Sequence, residues 1–140
     1  MNGRFFLDTN IFVYAFDTAA PKKAARADQL VRTGIQTRNG IVSYQVVQEF
    51  FNVAFRRFRQ PMSHADAEQY LSTTFRPLLA VQSSQALYAE ALRLGARFQF
   101  SWYDSLIVAA ATQAECDVLY SEDFQHGQKL GSVTIENPFV

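Results

Sequence analysis

Apolar and polar positions alternate along this chain in two different patterns. Short apolar runs, such as those within residues 4–8 and 117–120, are typical of buried strands. Longer segments carry apolar residues three or four positions apart, which is the spacing of an amphipathic helix. Because strands separated by helices favour a parallel sheet with crossover connections, the pattern predicts an α/β sandwich.

The predicted strands cover residues 4–8, 41–42, 78–81, 117–120 and 133–136. The predicted helices cover residues 22–37, 44–59, 63 to about 75, 83 or 84 to about 96, and 102–114. Ser43, Ser63 and Ser101 are expected to cap their helices, because a serine hydroxyl accepts a free amide at a helix start. Residues 105–111 are apolar on every side, so we expect that helix to be central.

Length and charge limit the classes of protein that this chain can belong to. We expect one domain over residues 1–140, because 140 residues with 49% hydrophobic content suit a single core. Thirteen basic residues balance thirteen acidic ones. Tight nonspecific binding to nucleic acid is therefore not expected, although a basic rim beside an acidic pocket is compatible with this balance.

Cysteine content and hydropathy indicate the expected location of the protein. A lone cysteine, Cys116, excludes an internal disulfide and argues against a cysteine-rich zinc site. No apolar run approaches the length that spans a bilayer, and no basic-then-apolar leader opens the chain. We expect a cytoplasmic protein without membrane contact.

Acidic residues stand where predicted strands end or within predicted helices: Asp8, Glu49, Asp104 and Asp123. Each lies against an apolar run, and an unpaired buried carboxylate is costly. In parallel sheets, ligands bind beyond the carboxyl ends of the strands, where Asp8 and Asp123 are expected. Converging carboxylates favour a hard divalent cation such as Mg²⁺ or Mn²⁺. The pattern therefore indicates a metal-dependent enzyme that acts on phosphate.

Each acid also has a purely structural interpretation. Asp8 suits a helix cap, Asp104 suits a capping box, and Glu49 suits a solvated helix flank. Asp123 suits a turn, and the neighbouring Glu122 competes for any role given to it. The joint occurrence of all four at element junctions favours the metal site, but spacing leaves the choice between Glu122 and Asp123 open.

Ordered motifs contain these acids: Phe6-Leu7-Asp8-Thr9-Asn10-Ile11, Gln-Glu-Phe-Phe-Asn at residues 48–52, Trp102-Tyr103-Asp104-Ser105-Leu106-Ile107, and Leu119-Tyr120-Ser121-Glu122-Asp123-Phe124. At these motifs the chain resembles the PIN domain and, within it, VapC-like toxins of toxin–antitoxin systems. The resemblance implies a three-layer α/β sandwich with a central, mostly parallel sheet flanked by helices. It also implies an endoribonuclease that depends on Mg²⁺ or Mn²⁺ and hydrolyses RNA phosphodiester bonds with metal-activated water.

The same resemblance implies roles for individual residues. Asp8 and Asp104 would bind the metal directly, and Glu49 and Asp123 would bind it directly or through water. Thr9 or Ser121 would hydrogen-bond the carboxylates. A cognate antitoxin and a homodimer are the implied protein partners. The remaining alternatives are a housekeeping RNA-processing nuclease of the same fold and a catalytically silent binding module.

A basic and aromatic run, residues 55–59, is expected near the end of the second predicted helix. Arg56, Arg57 and Arg59 could contact RNA phosphates beside aromatic rings. The alternative is a basic helix end that interacts favourably with the helix dipole.

Overall fold

A six-stranded sheet lies at the centre of the structure, a computed structural model that describes residues 2–140. The strands are β1 (Phe5–Leu7), β2 (Gly40–Ser43), β3 (Leu79–Val81), β4 (Val118–Tyr120), β5 (Lys129–Leu130) and β6 (Val133–Glu136). Their order across the sheet is β3-β2-β1-β4-β6-β5. Neighbouring strands run parallel except at the antiparallel β5–β6 edge. The predicted, mostly parallel sheet is therefore confirmed.

Helices flank this sheet and supply its crossover connections. They are α1 (Thr9–Tyr14), α2 (Pro21–Thr37), α3 (Tyr44–Arg56), α4 (His64–Tyr70), α5 (Arg76–Leu78), α6 (Gln85–Phe98) and α7 (Trp102–Gln113), with a π-helical turn over Leu71–Phe75. The side chains of residues 105–111 in α7 are all buried, which confirms that this helix is central. Within residues 2–140 we find no helix with the length and apolar character needed to cross a bilayer.

One predicted helix is wrong in its end, and another changes its hydrogen-bonding pattern before its predicted end. The helix predicted to reach residue 59 ends at Arg56, because the chain folds back and the Met62 amide donates to the Ala54 carbonyl at 3.1 Å. The helix predicted over residues 63–75 changes to the π-helical turn after Tyr70. The Thr73 hydroxyl donates to the Gln69 carbonyl there at 2.8 Å, and such bonds compete with regular helical bonding.

Three short elements, α1, α5 and β5, were not predicted from the sequence pattern. The strand predicted to start at residue 78 starts at Leu79, because Leu78 ends α5. Helix α1 has six residues, too few for a clear helical period, and β5 has two. The caps were mostly predicted: the hydroxyls of Ser63 and Ser101 accept amides of their helices. Ser43 is the N-cap residue of α3, as predicted, but its buried hydroxyl accepts no helix amide and has no hydrogen-bond partner within residues 2–140.

Helix α2 packs closely against β2 through two glycines. A Cβ atom on Gly40 would lie 2.6 Å from the Cα atom of Gly34 and 2.9 Å from Leu78 Cδ2. No side chain fits at such distances, so a glycine at position 40 lets the helix approach the strand. This contact lies at the amino end of β2, whereas the acidic residues emerge near the carboxyl ends of the strands.

The carboxyl ends of β1 and β4 lie side by side at the edge where the acidic residues emerge. Leu7 is paired with Tyr120 in the parallel register, and the Asp8 amide donates to the Tyr120 carbonyl at 3.1 Å. Asp8 and Ser121 therefore leave the sheet as neighbours. Strand β2 leads from the same edge directly into α3, which carries Glu49.

Candidate active site

Asp8 occupies the most enclosed position among the four candidate acids. Asp8 is only 5% exposed to solvent. It is the N-cap of α1, and its Oδ1 atom accepts a hydrogen bond from the Thr9 amide at 2.7 Å. The Ser121 hydroxyl donates to Oδ2, also at 2.7 Å. Burial, reinforced by the charges of Asp123 and Glu49, raises the pKa of Asp8 to about 7 in spite of these two hydrogen bonds.

Glu49 faces the same space from the middle of α3. Thr9 donates its hydroxyl to Glu49 Oε1 at 2.7 Å, so the residue after Asp8 also holds the next acid. The amide of Gln45, one turn earlier, lies 3.5 Å from Glu49 Oε2. Glu49 is therefore fixed toward the site and is not a free solvated flank residue.

Asp104 enters the site from the first turn of α7. Its backbone amide donates to the Ser101 hydroxyl at 3.2 Å, which sets the start of the helix. The charge of Asp104 contributes to the raised pKa of Asp123, so these two carboxylates are close enough to repel each other.

Asp123 faces the acidic cluster, and Glu122 faces away from it. Both oxygens of Asp123 accept the side-chain amide of Asn10, at 3.2 and 3.1 Å. Burial raises the pKa of Asp123, and the charges of Asp104, Glu122 and Glu49 raise it further. Glu122 instead pairs with Lys23 at 3.0 Å and accepts the Tyr14 hydroxyl. These bonds outweigh burial and lower the pKa of Glu122.

The four candidate acids thus form one cluster, here called the acidic cluster: Asp8, Glu49, Asp104 and Asp123. Within residues 2–140, no basic side chain is among the groups that shift the pKa of Asp8 or Asp123. The negative charges of these carboxylates repel one another, and all of their ligand atoms are oxygens. Oxygen ligands are the ones that Mg²⁺ and Mn²⁺ prefer. The donor set therefore suits a hard divalent cation.

The carboxylates do not form a ready-made cage in this arrangement. Within residues 2–140, no group of three or more His, Cys, Asp or Glu side chains is placed so that it could enclose a metal ion. Glu49 and Asp123 are turned toward Thr9 and Asn10 instead. Such a site still suits Mg²⁺, because this ion keeps several waters and commonly takes only one or two carboxylates.

A family model described as the PIN domain matches residues 5–129 of the chain. The chain belongs to the PIN domain family. A comparison with curated proteins found no match. The family match confirms the resemblance that the four motifs indicated, and it covers all four acids of the cluster.

Solved structures share the fold of this PIN domain. FitAB bound to the IR36 DNA fragment matches with a TM-score of 0.69 and 16% identity, over 97% of this chain and 96% of the other. FitAcB from Neisseria gonorrhoeae matches with a TM-score of 0.64 and 18% identity, over 96% of this chain and 98% of the other. VapC20 of Mycobacterium tuberculosis, a toxin that cleaves the sarcin–ricin loop, matches with a TM-score of 0.59 and 21% identity. The match covers 85% of this chain and 89% of VapC20.

Two polar residues of this PIN domain's site escaped the sequence analysis. Asn10 holds Asp123, and Gln45 connects α3 with α7 because its amide donates to the Tyr103 carbonyl at 3.2 Å. The position of Gln45, one helical turn before Glu49, was the available signal. Asn10 lies within the first motif, but its partner is 113 residues away in sequence.

The predicted RNA-contacting arginines divide into two groups. Arg57 and Arg59 line a cavity of about 1280 Å³ that is also lined by Asn10, whereas Arg56 is exposed but does not line it. This separation follows from the end of α3 at Arg56, after which the chain turns. The basic run is therefore not a simple continuation of the helix.

Proposed function

We propose that this PIN domain is an endoribonuclease that depends on Mg²⁺ or Mn²⁺ and acts as the toxin of a toxin–antitoxin pair. The observation that carries the proposal is the acidic cluster: four oxygen-donor side chains converge beyond the carboxyl ends of parallel strands, and no basic side chain is among the groups that shift the pKa values of Asp8 and Asp123. Phosphate-cleaving sites commonly place divalent metals between such carboxylates.

Structural likeness supports RNA as the substrate class. The fold is shared with VapC20, which is described as a toxin that cleaves the sarcin–ricin loop, a segment of RNA. Hydrolysis by water needs no histidine pair, and neither His64 nor His126 is among the groups that interact with the acidic cluster. We extend the toxin assignment, the cognate antitoxin and a homodimer to this chain from its family resemblance.

In the proposed mechanism, Asp8 and Asp104 hold the cation directly, and Glu49 and Asp123 hold it directly or through water. A bound divalent ion would offset charge on the phosphate and acidify a water molecule. Ser121 and Thr9 fix the carboxylates of Asp8 and Glu49 by hydrogen bonds of 2.7 Å each. The high pKa of Asp8 means that a cation must favour its ionised form, which couples metal binding to proton release.

Replacement of single carboxylates tests this proposal. We expect Asp8→Asn and Asp104→Asn to reduce cleavage of a labelled RNA panel by at least about a hundredfold, because each removes a charged metal ligand. Asp28→Asn is the matched control, since Asp28 is surface-exposed and pairs with Arg32 at 2.7 Å. Cleavage is measured with Mg²⁺, with Mn²⁺ and with chelator, beside circular dichroism to verify folding.

The nuclease assignment is wrong if the folded Asp8→Asn and Asp104→Asn proteins cut as fast as the wild type. Cleavage that persists in chelator would contradict the metal dependence. A folded wild-type protein that binds RNA and never cuts it would favour the silent binding module.

A further inference from the structure

The segment that carries Asp123 depends on side chains for its position. Within residues 2–140, the backbone groups of residues 122–124 form no hydrogen bond with another backbone group. The segment follows β4, and no helix or strand begins before β5 starts at Lys129. An acid of the cluster therefore stands on a stretch of chain without a backbone ladder, and its direction is set by the side chains that hold this stretch.

Glu122, the residue before Asp123, is held at both of its carboxylate oxygens. The Tyr14 hydroxyl of α1 donates to Glu122 Oε1, and the Lys23 ammonium of α2 donates to Oε2 at 3.0 Å. Lys23 also donates to the Tyr14 hydroxyl at 3.4 Å, which closes a triangle of three side chains. We call Tyr14, Lys23 and Glu122 the Glu122 clamp. It joins α1, α2 and the segment after β4.

Aromatic rings cover the ammonium group of this clamp. Lys23 Nζ lies 4.6 Å from the centroid of the Tyr14 ring and 5.4 Å from that of Phe139, and the two rings contact each other edge to face at 5.0 Å. The side chains of Lys23 and Glu122 are 40% and 28% exposed. A partly covered ion pair with a third hydrogen-bonding partner holds its geometry better than an isolated surface pair.

Helix α1 holds the two neighbouring acids from successive turns. Asn10 donates its side-chain amide to both Asp123 oxygens, and Tyr14, four residues later, holds Glu122. Side chains four residues apart lie on the same side of a helix. A change in the position of Glu122 therefore alters the way in which Asp123 meets Asn10.

The backbone of Asp123 is linked to the buried end of the site. Its amide donates to the Ser121 hydroxyl at 3.1 Å, and the same hydroxyl donates to Asp8 at 2.7 Å. On the other side of Asp123, the Phe124 ring packs edge to face against Phe100 at 5.2 Å. The anchors of Ser121, Glu122 and Phe124 thus surround one carboxylate of the acidic cluster.

We propose that Tyr14 and Lys23 are positioning residues of the metal site. By holding Glu122 they fix the direction of Asp123 and keep Glu122 out of the acidic cluster. Neither residue contacts the cation or the phosphate. This inference rests on the proposed metal-dependent function, and it assigns a role to two residues that are not acids themselves.

The direction of the change in metal affinity distinguishes this role from simple electrostatics. Loss of a positive charge near carboxylates should by itself tighten the binding of a divalent cation. A Glu122 that is released and free to turn inward would add a further oxygen ligand, which also tightens binding. The clamp predicts the opposite result, because Asp123 loses its fixed direction.

The test compares the affinity for Mn²⁺, measured by calorimetry, in four variants. Lys23→Met keeps the aliphatic part of the side chain and removes the ammonium, and Tyr14→Phe removes the hydroxyl alone. Lys22→Met is the matched control, since Lys22 is the exposed neighbour on α2 and its side chain makes no salt bridge or hydrogen bond within residues 2–140. Lys23→Arg is the conservative variant that should restore the pair.

We expect Lys23→Met and Tyr14→Phe each to raise the Kd for Mn²⁺ about fivefold or more, because partners that orient metal ligands have effects of this order. Lys22→Met and Lys23→Arg should stay within about twofold of the wild type. In chelator, the NMR order parameter of the Asp123 amide should fall from about 0.85 to below about 0.7 in Lys23→Met and stay unchanged in Lys22→Met. Thermal unfolding verifies that each variant is folded.

Equal affinity for Mn²⁺ in Lys23→Met and Lys22→Met, or tighter binding in Lys23→Met, would overturn the role of the clamp. Metal-dependent RNA cleavage by the wild type would then leave the proposed function standing. A lower order parameter with unchanged Mn²⁺ affinity would show a purely structural anchor and overturn the role as well. A wild-type protein that binds no Mn²⁺ would overturn the proposed metal dependence together with the role of the clamp in it.

Discussion

At the scale of the residue, Asp8 shows the strongest conflict between burial and charge. Its carboxylate is enclosed by Thr9 and Ser121 and faces Asp123 and Glu49. Its pKa therefore rises from the ordinary value of 3.8 to about 7. Because the folded state holds the proton more tightly than the unfolded chain, this carboxyl contributes stability at low pH. That stability is lost as the pH rises through about 7.

We predict that Asp8→Asn makes the metal-free protein more resistant to unfolding at alkaline pH. In chelator at about pH 8, the variant should gain about 2–4 kcal/mol relative to the wild type, and the gain should shrink toward pH 5. Urea unfolding across this pH range measures it. The control Asp28→Asn removes an exposed carboxylate, so parallel pH curves for the two variants would contradict the prediction.

At the scale of the element, the site depends on how α3 and α7 are held together. Gln45 is 4% exposed, and its amide contacts both the Glu49 carboxylate and the Tyr103 carbonyl beside Asp104. The carbonyl oxygen of this side chain has no partner within residues 2–140. A buried amide with an unsatisfied acceptor adds little to the free energy of folding. We therefore infer that Gln45 acts mainly by orienting the Glu49 carboxylate.

We predict that Gln45→Met separates stability from metal binding. Methionine fills similar space and removes an unsatisfied acceptor, so the free energy of unfolding should change by less than about 1 kcal/mol. Affinity for Mn²⁺, measured by calorimetry, should fall about tenfold, because Glu49 loses its orienting contact. Gln48→Met, at an exposed position of the same helix, is the control. A large loss of stability with unchanged metal affinity would show a purely structural role.

At the scale of the whole molecule, Phe50 connects elements that are distant in sequence. It is fully buried, and its ring lies between 5.1 and 6.4 Å from six other aromatic rings. Those rings belong to Phe12, Phe16, Phe51, Phe58, Tyr70 and Phe75. The aromatic content of the chain is therefore used largely in packing α1, α3 and the segment after α4, and Phe16 also lines the cavity that contains Arg57 and Arg59.

We predict that Phe50→Ala lowers the free energy of unfolding by about 3–5 kcal/mol, because a large cavity remains in a closely packed aromatic cluster. Phe50→Leu should cost less, since it keeps more of the volume. Leu92→Ala, at a side chain that is 63% exposed, should stay within about 0.5 kcal/mol. Denaturant unfolding measures all three, and similar values for Phe50→Ala and Leu92→Ala would refute this packing role.

The sequence by itself determined the alternating strands and helices, the mostly parallel sheet and the family. These features follow from local periodicity and from short motifs around Asp8, Glu49, Asp104 and Asp123, so they need no knowledge of distant contacts. Helix ends were less accurate, as at Arg56, because the returning chain at Met62 decides where α3 stops. Helix α1 was not predicted, because six residues are too few to show a helical periodicity of apolar positions.

Tertiary structure alone decided which neighbouring acid faces the cluster and where the basic residues lie. Glu122 is turned away by Lys23, 99 residues earlier, and Asp8 is held by Ser121, 113 residues later. The cavity lined by Arg57 and Arg59 likewise forms between the end of α1 and the end of α3, which meet only in the folded chain. Such contacts depend on how elements pack in space, and local spacing carries no information about that packing.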